Sequence, residues 1–192
     1  MSIGAIIGIA VAAVVVLAIV VVVWWWIGTY NKLIRLRNNV EEAYSTMDVY
    51  MKKRYDLIPN LVETVKGFAK HETEALEKVM RARYDSMNAG TIEDKNKAEN
   101  VLTGTLKTLF SITENYPDLK ANQNFMDLQG SLKNLEAEIS SSRKYYNGCV
   151  KVYNVAREVF PSNIIARHYR FEKSALFEIE DKEERKAPQV KF

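Results

Sequence analysis

The chain has 192 residues, of which 47% are hydrophobic and 27% are charged, and its formal net charge is +3. A balance this close to neutral excludes a large single-sign electrostatic field, so we expect no nucleic-acid partner. Cys149 is the only cysteine, which excludes an intramolecular disulfide and a cysteine-rich metal site.

A long apolar stretch opens the chain. Residues 3–23 carry no charged or strongly polar side chain, and these 21 residues would rise about 31 Å as a helix. That length is close to the thickness of a bilayer's hydrocarbon core. A cleaved signal peptide would instead need a positively charged start, a shorter apolar core and a small-residue cleavage site. The stretch therefore predicts a transmembrane helix.

The residues that follow this span indicate its orientation. The tryptophans at 24–26 and Tyr30 have side chains that suit the headgroup layer, and the cations Lys32, Arg35 and Arg37 come next. Because cytoplasmic flanks carry an excess of lysine and arginine, we expect the amino terminus outside and the rest of the chain in the cytoplasm.

Three small residues in the span share one face. Gly4, Gly8 and Ala12 are spaced four apart, so all three would point to one side of a helix and let another helix approach closely. This pattern predicts a packing surface within the membrane, with self-association as one outcome.

Four amphipathic segments follow the span, with apolar residues every three or four positions and no strand-like alternation of any length. We therefore predict an all-α chain, in which the transmembrane helix continues into an antiparallel four-helix bundle of long helices. The first segment should end before Pro59, because proline disfavours helical conformation in the preceding residue. Asp56 is then expected to accept hydrogen bonds in the first turn of the next helix.

The next two boundaries rest on turn residues. The second helix is expected to end near Gly90 in a left-handed conformation, and Thr91 with Asp94 forms a capping-box pattern at the start of the third. The third helix should stop before Pro117, which has no backbone donor.

The fourth segment has the longest apolar pattern. From Phe125 to Phe160 the apolar residues step by three and four, which predicts a helix over 122–159 with a coiled-coil heptad seam. This helix needs neighbours along its whole length, since packing of apolar faces dominates helix stability.

Two dipeptides repeat at seven residues on this seam, Tyr146 with Asn147 and Tyr153 with Asn154. Buried tyrosine hydroxyls need partners, which we expect to be the neighbouring asparagines or polar groups of the first helix. We interpret these four residues as setting the register of the bundle, with ligand binding as the alternative.

The predicted organisation has three parts: a transmembrane anchor at 1–28, a helical bundle at 29–160, and a tail at 161–192. The tail mixes aromatic, aliphatic and basic residues, and we expect a short helix or irregular structure on the membrane side. It would rest on lipid headgroups or on the end of the bundle.

Several motifs occur together in one order: "YNKLIRLRNNVEEAYSTMDV", "KKRYDLIPNLVETVKGFAKHE", "ENYPDLKAN", "RKYYNGCVKVYN" and "FPSNIIA". Behind one amino-terminal span, this set resembles the LemA family of bacterial membrane proteins over nearly the whole chain. The resemblance implies a single-pass protein of the bacterial inner membrane, with a helical-bundle domain and no established enzymatic activity. It also implies a membrane protease or another envelope protein as a partner.

The sequence contains no recognisable catalytic or metal-binding motif. His71 and Glu72 evoke a zinc-protease helix, but the second histidine that this chemistry requires is replaced by Ala75. Cys149 lies on an apolar seam without an activating histidine, and glutamates mostly fall on faces opposite the seams. We expect no cofactor and no metal. A deep polar cavity lined by ionisable residues would instead indicate an enzyme.

We interpret the stretch from Met51 to Glu72 mainly as a structural turn between helices, with a docking surface for a protein partner as the alternative. Its candidate interaction residues are Lys53, Arg54, Asp56, Pro59, Asn60, Glu63, His71 and Glu72. The function that we expect is a membrane-anchored scaffold or adaptor for protein partners, without catalysis. The alternative is a homo-oligomer that organises or shapes the membrane.

Overall fold

The computed structural model describes residues 3–177, and within them the secondary structure is entirely helical. In chain order the helices are α1 (Ile3–Phe68), α2 (Thr73–Asn88), α3 (Ile92–Thr113), α4 (Pro117–Lys120), α5 (Gln123–Glu158) and α6 (Ser162–His168). The predicted all-α fold is confirmed. The last fifteen residues of the predicted tail, 178–192, lie outside the described part of the chain.

The chain forms two compact units. The first contains the residues up to Glu41 together with Cys149–Ser174, and the second contains Glu42–Gly148 with the described tail residues 175–177. Helices α1 and α5 each contribute residues to both units.

The apolar start of α1 is a candidate membrane span. It has a mean hydropathy of 3.2 over an 18-residue window, and none of that window is buried against the rest of the chain. Within the described residues, its valines and isoleucines are largely exposed, as in a helix whose neighbour is lipid.

Helix α1 does not end before Pro59, and that prediction is wrong. The helix continues to Phe68 with Pro59 inside it. Proline cannot donate to the carbonyl four residues earlier, which belongs to Tyr55. In the second unit, Arg83 Nε of α2 donates to Tyr55 O at 2.7 Å, so this carbonyl remains satisfied. Asp56 is therefore an exposed residue inside α1 and not a cap.

The α2–α3 turn confirms one expectation and corrects another. Thr91 is the N-cap of α3: the Asp94 backbone N–H donates to Thr91 Oγ1 at 3.1 Å, and the threonine hydroxyl donates to Asp94 Oδ2 at 2.8 Å. Gly90 is not left-handed, since no glycine in the described chain has a positive φ. Ala89, with ψ of 122°, leads the chain out of α2 in an extended conformation, which removes the need for a left-handed residue.

The predicted fourth helix is α5, whose ends fall within a residue of those expected. Its seam residues Phe125, Leu132 and Ile139 are at most 3% exposed, so they form part of the core of the second unit. Phe160, the last residue of the predicted seam, is 79% exposed and lies beyond the helix end at Glu158. The pattern therefore overruns the helix by a few residues.

Candidate functional site

Half of the predicted interaction residues share one exposed face of α1. Lys53, Asp56, Asn60 and Glu63 step by three and four residues, so they lie on one side of the helix, and all four are exposed. We call these four residues the polar face of α1. Its mixed charges form a solvated surface that a protein partner can contact.

The other predicted residues of this stretch lie elsewhere. Pro59 is half-buried, and His71 and Glu72 belong to the short connection between α1 and α2. Glu72 Oε1 accepts a hydrogen bond from the Tyr116 hydroxyl at 2.9 Å, and this bond raises the pKa of Tyr116. The contact holds the start of α4 to the α1–α2 connection.

Arg54 is the exception, because the structure places it in the interior of the second unit with 0% of its surface exposed. Our prediction that it lies on the surface is wrong. Met51, Arg54, Ile58 and Leu61 step by three and four residues along the buried side of α1. The same spacing in the sequence is the signal that could have located Arg54 in the core.

The Arg54 guanidinium donates hydrogen bonds to two carboxylates, those of Glu99 and Glu136. It also donates to Thr103 Oγ1 at 3.1 Å. The Tyr55 hydroxyl donates to the other oxygen of Glu99, and Arg143 Nη2 lies 3.6 Å from Glu99 Oε2. We call this set the Arg54 network.

Glu99 is the centre of the Arg54 network and is 0% exposed. We expect most glutamates on the faces away from the core, and Glu99 is an exception. It precedes Leu102, Leu106 and Leu109 at steps of three and four, so the periodicity of α3 places it on the buried side. A charge is tolerated there only because two arginines and a tyrosine face it.

The protonation states of the Arg54 network follow from burial and from Glu99. Burial raises the pKa of Tyr55 well above its usual range, and the negative charge of Glu99 and the hydrogen bond to it raise it further. Burial lowers the pKa of Arg143, whereas the Glu99 charge opposes that shift. The phenol therefore keeps the proton that it donates to Glu99. Since both Glu99 oxygens accept hydrogen bonds, the arrangement favours a structural cross-link between helices over acid–base chemistry.

A groove of about 780 Å³ lies between α3 and α5, next to the Arg54 network. Thr103 and Glu136 belong to both, and the Glu136 side chain is 40% exposed. The remaining groove residues are mostly apolar or small, with two lysines: Leu106, Lys107, Phe110, Met126, Gln129, Gly130, Leu132, Lys133, Ala137 and Ser140. We call this surface the α3–α5 groove.

Tyr146 and Asn147 hold the end of the described tail in the second unit. The Tyr146 hydroxyl donates to Ala175 O at 2.9 Å. Asn147 makes two bonds with one residue: its Nδ2 donates to Phe177 O and its Oδ1 accepts from the Phe177 N–H, both at 2.8 Å. All three hydrogen bonds are made with backbone atoms of the tail.

Tyr153 and Asn154 make the same pattern in the first unit. The Tyr153 hydroxyl donates to Glu172 O at 2.9 Å, Asn154 Nδ2 donates to Ser174 O at 2.9 Å, and the Ser174 N–H donates to Asn154 Oδ1 at 3.0 Å. The tyrosines are buried, as expected, but their partners are tail carbonyls and not asparagines or groups of the first helix. The repeated Tyr-Asn dipeptide was the signal in the sequence, but it could not show that the tail backbone is the hydrogen-bond partner.

The tail of the first unit also packs on α1 just beyond the candidate span. The Tyr30 ring lies 4.6 Å from that of Tyr169 and 5.9 Å from that of Phe171, and Trp26 Nε1 lies 3.3 Å from the Tyr169 hydroxyl. Arg37 lies over the Phe171 ring at 5.7 Å. Residues 162–171 are thereby attached to the part of α1 that follows the candidate span.

The small residues of the span are exposed. A side chain added at Gly4 or Gly8 would meet no atom of this chain within 4 Å, and Ala12 is exposed too. Cys149 is a free, half-buried thiol.

Comparison with known proteins gives a consistent result. A model of the LemA family matches residues 43–192. Protein LemA of Metamycoplasma hominis is 25% identical over 157 residues, which cover 79% of this chain and 70% of that protein. Magnetosome protein MamQ of Magnetospirillum gryphiswaldense is 23% identical, and magnetosome protein MamQ 1 of Paramagnetospirillum magneticum is 21% identical. These two alignments cover 77% and 78% of this chain but only 64% of each MamQ protein, which is less than two thirds.

Proposed function

The chain belongs to the LemA family, and on that premise we propose that it is a membrane-anchored helical scaffold or adaptor that binds protein partners and catalyses no reaction of its own. A partner among membrane proteases or other envelope proteins fits the family resemblance. The proposed anchor is the candidate span of α1, which would cross the inner membrane of a bacterium once.

The observation that carries this proposal is the continuity of α1. One helix, Ile3–Phe68, contains both the candidate span and the polar face formed by Lys53, Asp56, Asn60 and Glu63. Because no loop interrupts it, a partner bound at the polar face would be connected to the anchor by continuous helical backbone. Such a connection suits a scaffold that holds a bound partner at the membrane.

The interior of the second unit supports the same function. Its buried charges, Arg54 and Glu99, are engaged with each other and with neighbouring helices, so they stabilise the bundle. The exposed polar side chains, such as those of the polar face of α1, are then available to bind protein partners.

The experiment is affinity purification of the full-length protein from native membranes after cross-linking. We expect partner proteins with the wild type. A Lys53→Glu and Asn60→Glu double variant should recover them at least about tenfold less, because about 1.4 kcal/mol of lost interface energy is a factor of ten in affinity. Lys144→Glu, an exposed position on α5, is the matched control and should behave as wild type.

Recovery of the lone monomer at native expression levels would contradict the adaptor. Equal recovery of partners by wild type and the double variant would also contradict it, since the partners would then bind somewhere other than the polar face of α1.

A second candidate function is a homo-oligomer that organises the membrane. The exposed Gly4, Gly8 and Ala12 favour it, because they leave room for close approach of another span. Mass measurement of the intact protein in mild detergent separates the two functions. A discrete monomer would eliminate the oligomer, and an oligomer that Gly8→Leu dissociates would support it.

A further inference from the structure

We propose that the end of α6 and the residues around it form a binding site for the phosphate of an anionic phospholipid. The site is a pocket of about 480 Å³ whose lining includes Arg157, Arg167, Arg170 and Lys173, and we call it the basic pocket. All of these residues belong to the first unit. The proposal rests on the proposed membrane anchor, but it does not rest on partner binding through the polar face of α1.

The first observation is an excess of positive charge. The basic pocket has four cationic side chains, and its two carboxylates are those of Glu158 and Glu172. Glu158 Oε1 lies 3.0 Å from Arg157 Nη2 and 3.9 Å from Lys173 Nζ, so two cations share one carboxylate. Within residues 3–177, no ion pair joins the other two arginines to a carboxylate. A phosphate group would supply this missing negative charge, and guanidinium groups bind phosphate oxygens in pairs.

The second observation is two buried polar atoms. In the described part of the chain, Arg157 Nε and Asn163 Oδ1 are buried without a hydrogen-bond partner, and both residues line the basic pocket. A buried polar group that stays unpaired costs free energy, so a ligand that pairs with these groups is favoured. The Arg157 N–H can donate to a phosphate oxygen. A half-turn of the Asn163 amide exchanges its oxygen for an NH₂ group, which can donate to another phosphate oxygen.

The third observation is the backbone of Arg170. With a φ of 53°, it is the only non-glycine residue in the described chain that has a positive φ. It directly follows the C-cap of α6, where the Phe171 N–H donates to Ala166 O at 2.9 Å, as in helices that end with a left-handed residue. Glycine is favoured at such a position because other side chains are strained there. Ligand binding by the Arg170 side chain accounts for an arginine at this strained position.

The fourth observation is the position of the basic pocket relative to the candidate span. Trp26 lies three residues beyond the apolar stretch 3–23, which is a rise of about 4.5 Å along α1. The headgroup layer is about 5–7 Å thick on each side of a bilayer, so Trp26 falls within it. Its ring contacts those of His168 and Tyr169, with centroids 5.7 Å and 6.5 Å away. With α1 across a bilayer, the end of α6 therefore lies at the level of the phospholipid phosphates.

The fifth observation is a less polar pocket beside the basic one. It has a volume of about 350 Å³, and Trp26, Ile164 and His168 line it. Asn163 and Arg167 line both pockets, so the two are adjacent. A phospholipid has a charged head and an apolar body, so one molecule can contact both pockets. A free phosphate ion can use only the basic pocket, and the geometry therefore favours a lipid.

The experiment measures lipid binding to the full-length protein in mild detergent by native mass spectrometry. The probes are phosphatidylglycerol, which is anionic, and phosphatidylcholine, which is zwitterionic, with the same acyl chains. We expect the Kd of the wild type to be at least about tenfold lower for phosphatidylglycerol, because only this headgroup brings a net negative charge to the arginines.

Arg167→Gln with Arg170→Gly is the test variant. It removes two cations from the basic pocket, and glycine suits the left-handed position, so we expect the fold to be kept and circular dichroism to match that of the wild type. The Kd for phosphatidylglycerol should rise at least about tenfold. Arg35→Gln with Lys151→Gln is the control, because it removes two exposed cations of the first unit that do not line the basic pocket. It should change the Kd by less than about twofold.

Three outcomes overturn the proposal. Equal Kd values of the wild type for the two lipids would show that the pocket does not select a negative charge. Equal losses in the test variant and the control would show a general attraction of surface cations to anionic lipid. Displacement of phosphatidylglycerol by an equal concentration of inorganic phosphate would assign the basic pocket to a soluble anion.

Failure of the lipid site can be distinguished from failure of the proposed function. Release of the wild-type protein from membranes by high salt without detergent would contradict the anchor, on which both proposals rest. Loss of lipid selectivity in a protein that stays in the membrane would overturn the lipid site alone, since partner recovery depends on the polar face of α1.

Discussion

At the scale of single residues, the Arg54 network shows how a buried charge is tolerated in the second unit. Glu99 is fully buried and depends on Arg54, Tyr55 and Arg143 for its partners. Desolvation of an ion costs several kcal/mol, so the network is stable only while it is complete.

Removal of Arg54 should therefore be severe. Arg54→Ala leaves Glu99 without its main partner, and we expect a loss of about 3–5 kcal/mol in the free energy of unfolding. Lys53→Ala, at the exposed neighbouring position, should change it by less than about 0.5 kcal/mol. Denaturant unfolding of the full chain in detergent, followed by circular dichroism, measures both. A double variant, Arg54→Met with Glu99→Met, should recover part of the loss because it removes both charges.

Tyr146 adds a pH dependence that can be tested separately. Burial raises the pKa of Tyr146 to about 12, above the usual value of 10.0. A pKa raised in the folded state means that the stabilising contribution of the neutral phenol is intact below about pH 10 and is lost as the pH rises towards 12. A phenolate cannot donate to Ala175 O, so this contact with the tail should be lost over this range.

We expect Tyr146→Phe to abolish a tyrosine ionisation near pH 12 in an absorbance titration, and to increase protease cleavage of the tail at neutral pH, because one of the tail's hydrogen bonds is lost. Tyr84→Phe, at a 65% exposed position, is the control and should leave the high-pH transition in place. A Tyr146→Phe titration identical to wild type would contradict an ionisation of Tyr146 near pH 12.

At the scale of helices, the continuity of α1 depends on a residue of α2. Arg83 donates a hydrogen bond to the Tyr55 carbonyl, for which Pro59 has no backbone donor. Ile58, Leu61 and Val65 are buried on both sides of the proline. Packing and this one hydrogen bond together compensate the helix for its missing donor.

This dependence predicts non-additive substitutions. Arg83→Met alone should cost about 1–2 kcal/mol, because Tyr55 O is left without a donor. In a Pro59→Ala background the new backbone N–H can reach Tyr55 O, so the same Arg83→Met change should cost at least about 0.5 kcal/mol less. Denaturant unfolding of the four proteins in the cycle measures the coupling. Arg81→Met, exposed on α2, should show no coupling to Pro59→Ala.

At the scale of the whole molecule, the proposed function requires a defined orientation in the membrane. We propose that the amino terminus lies outside and the helical body in the cytoplasm, since Lys32, Arg35 and Arg37 follow the candidate span. A tag at the carboxy terminus should then resist external protease in cells with a permeable outer layer and an intact inner membrane. A tag at the amino terminus should be digested under the same conditions, and the reverse result would contradict the orientation.

Features that depend on neighbouring residues could be predicted from the sequence. The apolar length of the span, the cap of α3 by Thr91 and the two ends of α5 all follow from side chains within a few positions of one another. Helical periodicity and capping act over three or four residues, so their signals are contained in short stretches.

The candidate site required the tertiary structure, because its pairings are distant in sequence. Arg54 meets Glu99 at a separation of 45 residues, Arg83 meets Tyr55 at 28, and Asn147 meets Phe177 at 30. The spacing of Arg54 and Glu99 on their helices indicated burial but could not name a partner.

The sequence by itself thus determined that the chain is helical and which faces of its long helices are apolar, since both depend on local backbone preference and side-chain period. Only the tertiary structure decided that α1 passes through Pro59, that two charges are buried together and that the tail lies on α5. A hydrogen-bond partner is selected by proximity in the folded chain, and local sequence does not contain that information.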